Sequence, residues 1–561
     1  MYVPLNQVSN PTDEQRHEML RNSLENAGRS EDYEYIIKYL SPPPEITEII
    51  PAGSMRGTRI GIIGGGLAGL CTAFELRKLG ADITILEASE DRIGGRVYTQ
   101  YFDDTYYAEF GALRIPISHE TSWYYMNLFG LNTISMTPPR GDNFIYVHNT
   151  RLRTRDSIQE ILYPFYNLTV QERNTPWPEL SSYAFHYAFQ QLTPEIRAEL
   201  IQTLPSYSLE ILYYSKQSTR QVFESLGLSQ GAMNLISAAS PGIGAYLTES
   251  FEELLAEEYT MDYRNTYQIQ DGNVNLPLAF YRSFQSQDPP EYGSLSPDLL
   301  GNVIYKAGHK VSGIYRSHYR DKVVIKYSDT IEGKDKAEIF DYCICTIPFS
   351  SLRAVEIKPY FSNMKMQAIM ELNYSDAQKS FFVCNKRFWE RDTDYGRIRG
   401  GISFTDQIIQ FIFYPNDHNI CLEKGSCSPK EPGVLLASYG LNQNAIRLGN
   451  MDDLSRYEVI RQNVEEVHGL PRGYLHSIVE YFQTVDWFQQ PHFRGAFVVN
   501  MPGQKELFSH VMTQPEYNHR VYFAGEHISQ KHGWIQGALY TAKEAANQLA
   551  KFYATHMMTL I

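Results

Sequence analysis

Residues 59–87 read RIGIIGGGLAGLCTAFELRKLGADITILE, and no other stretch limits the possible folds so sharply. Arg59–Ile63 is a short apolar strand, 64–69 a glycine turn, 70–79 a helix pattern closed by Gly80, and 82–86 a second strand. A strand–turn–helix–strand unit commits this part of the chain to an α/β arrangement with a parallel sheet. Three of the four glycines of the turn have separate jobs. Gly64 permits the tight turn, Gly66 lets backbone approach a pyrophosphate, and Gly69 lets helix and strand pack closely. The helix N-terminus then offers unpaired N–H groups to phosphate. Glu87 follows the second strand, 18 residues after Gly69, where a carboxylate can accept both ribose hydroxyls of an adenosine.

Around this unit the chain alternates between structural modes. Its 561 residues correspond, at roughly 150 per domain, to about three or four units. Residues 13–40 carry apolar positions at helical spacing, and Pro42, Pro43 and Pro44 end that segment, leaving 41–58 as a linker. From about 140 to 265 the pattern is mainly helical. Residues 309–347 turn to strands (HKVSGIY, DKVVIKYS, IFDYCICTI), with further strands expected at 378–384, 408–414 and 434–439. The chain closes with a strand at 521–525 and a helix from Trp534 to Phe552. Such alternation implies interleaved domains assembled from separated segments.

Composition narrows the function. Fifty Lys plus Arg against sixty-four Asp plus Glu leave a formal charge of −14, which disfavours nucleic-acid binding because phosphate neutralisation needs a basic face. Six cysteines in so long a chain exclude a disulfide scaffold, and the expectation is free or buried thiols in a reducing compartment. The N-terminus lacks a basic and then apolar leader, and no run is long enough to span a bilayer, so a cytoplasmic protein without a membrane partner is expected. The sequons at Asn167 and Asn373 then read as chance.

Directly after Glu87 comes Arg92-Ile93-Gly94-Gly95-Arg96, a second glycine pair flanked by arginines, of which Arg96 can reach a pyrophosphate. At the far end stand Tyr522-Phe523-Ala524-Gly525-Glu526-His527 and Gly533-Trp534-Ile535-Gln536-Gly537-Ala538. In this register the passages resemble the GG doublet and the C-terminal flavin motif of the FAD-dependent amine oxidase superfamily. The resemblance runs from about residue 56 onward and is nearest to L-amino-acid oxidases and amino-acid 2-monooxygenases. It implies an α/β fold in which a Rossmann-like FAD-binding domain is interleaved with a mixed-sheet substrate domain and a mainly helical insert. The corresponding segments are 1–55, an N-terminal helical extension and Pro-rich linker; 56–96, 268–350 and 485–552 for FAD; 97–150 and 351–484 for substrate; and 151–267 for the helical domain. FAD contacts are implied at Gly64, Gly66, Gly69, Glu87, Arg92, Gly95, Arg96, Leu113, Arg114, Val311, Trp487, Gly525, Glu526, Trp534 and Ile535. His527 and His532 lack an evident third ligand, so no metal is expected.

The passage Glu109-Phe110-Gly111-Ala112-Leu113-Arg114-Ile115-Pro116 resembles that group's E-x-G-A-M-R-x-P, whose arginine grips the substrate α-carboxylate. A guanidinium matches a carboxylate with two planar donors, so Arg114 must meet either such a ligand or an internal acid. Tyr439 aligns with a tyrosine that also binds the carboxylate, though a strand-core role is open to it. Gly533 aligns with a carbonyl that accepts from the substrate amine, Trp534 with an aromatic wall beside it, and Trp487 with a tryptophan near the ring or in ordinary core. Lys379 aligns with a lysine holding water near flavin N5; otherwise it is a solvent-facing edge residue. Arg114, Tyr439 and Lys379 are the candidate catalytic set. Relatives of the snake-venom type carry a proposed histidine base at the position of Ala256, so no base is assigned here. The neighbouring acids Glu249, Glu252, Glu253, Glu257 and Glu258 read as a solvated helix face, with a cationic side-chain preference as the sharper alternative.

What the resemblance implies is hydride transfer from Cα of an L-amino acid, with O2 as acceptor, giving 2-oxo acid, ammonia and H2O2, or a decarboxylated amide if the imino acid stays bound. It also implies a homo-oligomer, a dimer or larger. Two other readings are a flavin-binding protein without turnover and a hydrolase using Gly227-Leu228-Ser229-Gln230-Gly231. The second needs a strand before the serine, and QVFESL there reads as helix.

Overall fold

The computed structural model describes residues 8–102, 106–136, 141–317, 321–418, 421–422 and 424–558. Its centre is a five-stranded parallel sheet in the order Val303–Lys306, Asp82–Leu86, Arg59–Ile63, Tyr342–Cys345, Val521–Phe523. The middle strands are buried on both faces, which is why they read as unbroken apolar runs. Arg59–Ile63 pairs in register with Asp82–Leu86 on one side and with Tyr342–Cys345 on the other. The helix Leu67–Arg77 begins at Gly66 and is buried along its whole length. It packs so tightly on the turn that a Cβ at Gly69 would lie 2.0 Å from the Gly64 carbonyl oxygen. The last helix, Ile535–Met558, lies along it, with Thr72 Oγ1 donating to the Ala542 carbonyl at 3.4 Å.

Two further sheets flank this core. The first runs Lys334–Phe340, Lys322–Asp329, His309–Ser317, Glu356–Lys358. The second has seven strands in the order Val479–Asp486, Ala377–Cys384, Gly433–Leu441, Phe411–Tyr414, Gly401–Thr405, Phe144–Val147, Thr150–Arg153. Helices from Ile158 to Tyr259 stand beside it. The α/β class with a Rossmann-like core, a mixed sheet and a helical insert is therefore the observed architecture.

Several local expectations need correction. Residues 13–40 form two helices, Asp13–Asn26 and Tyr33–Leu40. The first opens on a capping box, Thr12 with Gln15. The break is held by Arg29, which donates to Asp32 and to the carbonyls of Glu258 and Tyr259, contacts that sequence periodicity does not carry. The mainly helical stretch from 140 begins with the hairpin Phe144–Val147/Thr150–Arg153, stabilised by pairing with the distant strand at 401–405. IFDYCICTI is two strands in different sheets, parted at Asp341. Cys71, Cys343, Cys345 and Cys384 are buried free thiols, but Cys421 and Cys427, with Cα atoms 5.4 Å apart, are joined in a disulfide. That pair removes the cysteine argument for a reducing compartment. Among the described residues no helix is long and apolar enough to cross a membrane.

Candidate active site

One cavity of about 860 Å³ runs from the glycine turn to the seven-stranded sheet. At its first end Glu87, buried at the tip of its strand, accepts from the backbone N–H of Gly65 at 2.6 Å and of Ser89 at 2.8 Å. Gly64 and Gly66 line the wall beside it, and the helix they open has no side-chain cap, so its first N–H groups face an incoming anion. The second glycine loop packs backbone to backbone on the first: a Cβ at Gly95 would sit 3.1 Å from the Gly66 Cα. Gly69 and Arg92 are not on the cavity wall. Gly69 closes helix on strand, and Arg92 donates to the Gly95 carbonyl at 2.6 Å while stacking on Tyr98, so it braces the loop from behind.

Further along, Arg96 donates to Glu526 at 2.6 Å and to the Ala496 carbonyl at 2.8 Å. Glu526 also accepts from the Gly533 N–H at 2.9 Å, so one carboxylate ties the second glycine loop to the loop that starts the last helix. Leu113, Val311, Trp487, Gly525 and Ile535 line the same space, and Trp487 is fixed by its Nε1 donating to the Phe110 carbonyl at 3.0 Å. A bare helix terminus, two glycine loops in contact, a carboxylate at the tip of the neighbouring strand and a cavity continuous from there to the seven-stranded sheet together suit an extended dinucleotide flavin.

The other end of the cavity is polar in a different way. Arg114 lies with its guanidinium carbon 4.9 Å from the Tyr263 ring centre and 5.6 Å from that of Phe413. Among the described residues no carboxylate pairs with it, so the internal ion pair allowed by the sequence is absent. Lys379 and Tyr439 occupy registered positions on neighbouring antiparallel strands. The lysine is buried, not solvent-facing, and its Nζ donates to the carbonyls of Glu109 at 3.1 Å and Gly111 at 2.5 Å. Burial drives its ammonium down to about 7; Glu109 opposes that and Arg114 adds to it. Glu109 is likewise pushed up to about 7 by burial, against hydrogen bonds from the Asn273 N–H and Thr99. Gly533 and Trp534 complete the wall.

The acidic stretch is not a solvated face. Glu249 and Glu252 are buried, Glu252 is paired with Lys505 at 2.7 Å, and Glu253 meets His532 at 3.0 Å. Glu253, Glu257 and Glu258 line the cavity. Glu257 accepts from the Tyr263 hydroxyl at 2.7 Å and from Trp534 Nε1 at 3.2 Å. The helix Phe251–Tyr259 buries Glu252 together with Phe251, Leu255, Ala256 and Tyr259, and its periodicity, which leaves Glu253 and Glu257 on a polar arc, carries no signal that this arc faces a cavity. Tyr246, Tyr263 and Phe413 are lining residues that no motif marked. Ser229 caps the helix Gln230–Ala239 and follows the helix Thr219–Ser225, so it is no nucleophile elbow. Among the described residues no group of three His, Cys, Asp or Glu is placed to hold a metal.

Known proteins agree with this construction. Residues 67–550 match the family described as flavin containing amine oxidoreductase. The L-amino-acid oxidase of Gloydius halys is 27% identical over 533 residues, covering 94% of this chain and 95% of that protein. YobN of Bacillus subtilis (strain 168) is 30% identical over 510 residues, 89% of this chain and 96% of that one. Cyclohexylamine oxidase from Brevibacterium oxydans IH-35A shares the fold at a TM-score of 0.63 and 15% identity, over 88% of this chain and 99% of that chain. With its parallel sheet, paired glycine loops and carboxylate-tipped cavity, and with FAD as its cofactor, the chain belongs to the flavin containing amine oxidoreductase family.

Proposed function

We propose that the protein oxidises the Cα–N bond of an L-amino acid, with O2 as final acceptor, to yield 2-oxo acid, ammonia and H2O2. The observation that carries this reading is Arg114: a guanidinium without a carboxylate partner among the described residues, facing the same cavity as Tyr439, Gly533 and the flavin loops. A carboxylate ligand supplies the missing partner through a bidentate pair. Relatives that match over almost the whole chain carry the name L-amino-acid oxidase, which supports the choice of amino acid over simple amine.

Glu87 would hold the adenosine ribose, the N–H groups after Gly66 the pyrophosphate, and Gly525, Glu526 and Ile535 the ring end. FAD held there would supply the acceptor for hydride from Cα and the route for the electron pair to O2. The protein's own residues do the rest. Arg114 and the Tyr439 hydroxyl orient the carboxylate, the Gly533 carbonyl accepts from the amine, and Trp534, Phe411 and Phe413 exclude water from the wall. Lys379, buried against Tyr439, carries a proton or releases it near neutral pH.

The test is a panel of L-amino acids mixed with the purified flavoprotein, first without oxygen and then with it. Bleaching of the yellow chromophore by at least one amino acid, followed by stoichiometric 2-oxo acid and peroxide, is expected. Amide in place of 2-oxo acid would make the enzyme a 2-monooxygenase, and a flavin that no amino acid bleaches would overturn the proposal.

A further inference from the structure

Two of the cavity charges that lack a partner of opposite sign among the described residues come together at Tyr263. One is Arg114. The other is Glu257, half-buried on the helix Phe251–Tyr259, whose two carboxylate oxygens accept, among the described residues, from neutral donors alone, the Tyr263 hydroxyl and Trp534 Nε1. Lys531 is near, but its ammonium is committed to Asp262, which also meets His119 at 3.1 Å. A carboxylate largely withdrawn from water and without a cation is costly unless it is neutralised by a proton or a ligand.

A single side chain joins these two charges. Arg114 stacks on the face of Tyr263 at 4.9 Å, while the hydroxyl of the same ring donates to Glu257 at 2.7 Å. The pair thus offers one positive and one negative group across the width of one phenol. That spacing suits a compact zwitterion, whose ammonium and carboxylate are separated by one carbon. The cationic end of a long side chain would need its acid a side-chain length farther away. Glu257 also touches Trp534, the neighbour of Gly533, which places it on the side of the pocket assigned to the substrate nitrogen.

We infer that Glu257 receives the substrate α-ammonium and takes one proton from it. This rests on the proposed amino-acid reading of the site. In the step, one N–H bond breaks, its electron pair stays on nitrogen, and the proton bonds to a Glu257 carboxylate oxygen. The result is a neutral amine, competent to lose hydride from Cα, beside a neutral carboxyl. The surroundings suit a proton acceptor near neutrality. Burial raises the Glu257 carboxyl to about 7 and Asp262 adds to this, while Lys531, Tyr263 and Trp534 oppose it. The other charged or titratable groups facing it are Arg114, Tyr246 and Tyr439, and both phenols stay protonated because burial holds them above their ordinary range.

The experiment compares wild type with Glu257→Gln, whose amide oxygen retains an acceptor for Trp534 Nε1 and whose NH2 donates to the Tyr263 hydroxyl oxygen. Single-turnover flavin reduction is followed from acid to alkaline pH with each amino acid the wild type oxidises. Wild type should show a rate limb rising through about pH 7 as Glu257 ionises. Glu257→Gln should lose the limb, run roughly 10²-fold slower at neutral pH, and recover only where the amine is already deprotonated in solution. Binding gives an independent readout: in a Lys379→Met background, which removes the other group titrating near 7, benzoate followed by the flavin spectrum should bind more tightly below pH 7, where Glu257 is neutral, and adding Glu257→Gln should remove that dependence. If Glu257→Gln does not retain flavin, Glu257→Asp should preserve the rising limb at a displaced pH. A retained limb with near-normal rates in Glu257→Gln overturns the inference, as does a loss confined to lysine and arginine, which would place the carboxylate against the substrate side chain. Failure of the wild-type flavin to be reduced by any amino acid would instead bring down the amino-acid reading itself.

Discussion

Lys379 and Tyr439 stand opposite each other on antiparallel strands, with the lysine ammonium 4.9 Å from the tyrosine ring centre. The same ammonium donates to the carbonyls of Glu109 and Gly111, three to five residues before Arg114. One side chain thereby fixes the sheet that carries Tyr439 to the loop that carries the guanidinium. The two residues proposed to grip the substrate carboxylate are set by a common strut.

Replacing that strut by an apolar isostere should separate the two half-reactions. Lys379→Met removes a cation from the flavin edge of the cavity, so the oxygen half-reaction is expected to slow by roughly 10²-fold while flavin reduction slows much less. The ammonium titrates at about 7, so wild-type reoxidation should itself slow as pH rises through that value. Stopped-flow mixing of reduced enzyme with oxygen measures both. Equal slowing of the two half-reactions would assign Lys379 a structural role only.

Arg114→Ala should leave FAD bound and raise KM for amino acids. Loss of one partner of a charge-assisted pair costs about 2–5 kcal/mol, so KM should rise at least roughly 30-fold. Benzoate binding should weaken in parallel. Unchanged KM would contradict the assignment.

Glu87 holds the Gly65 and Ser89 amides as well as the proposed ribose. Glu87→Ala should therefore lose flavin on dialysis, read as falling visible absorbance in the retained protein. Glu87→Gln keeps one acceptor and should fall between wild type and alanine.

Asp376 and Asp486 both accept from the Phe488 N–H, at 3.1 Å and 2.9 Å. Burial and the neighbouring carboxylate raise Asp376 to about 7. A carboxyl whose folded pKa lies above its unfolded value of about 3.9 gives stability that is full below pH 4 and lost as pH rises through 7. Asp376→Asn should accordingly raise the thermal midpoint above pH 7 and leave it nearly unchanged near pH 4, measured on the FAD-loaded protein.

The parts legible in the sequence were those written locally. Arg59–Ile63, the glycine turn and Asp82–Leu86 fell where expected, because a parallel strand buried on both faces needs a continuous apolar run and the turn needs its glycines. Arg114 was legible as a problem, a guanidinium in an apolar passage, and among the described residues no internal acid solves it. What escaped was non-local. The hairpin at 144–153 is a strand pair only because residues 401–405 lie beside it. Glu257 looks like any helical acid until Tyr263 and Trp534 enclose it. The Cys421–Cys427 bridge joins two residues that carry no spacing signature of their own.

The central sheet sets the first glycine strand beside Tyr342–Cys345, and that strand beside Val521–Phe523, while the closing helix covers the helix opened by Gly66. During synthesis, then, the nucleotide pocket stays unroofed until nearly the whole polypeptide has left the ribosome. Cofactor capture on this chain is a late event, and a product truncated before residue 521 should emerge colourless however well its earlier segments have folded.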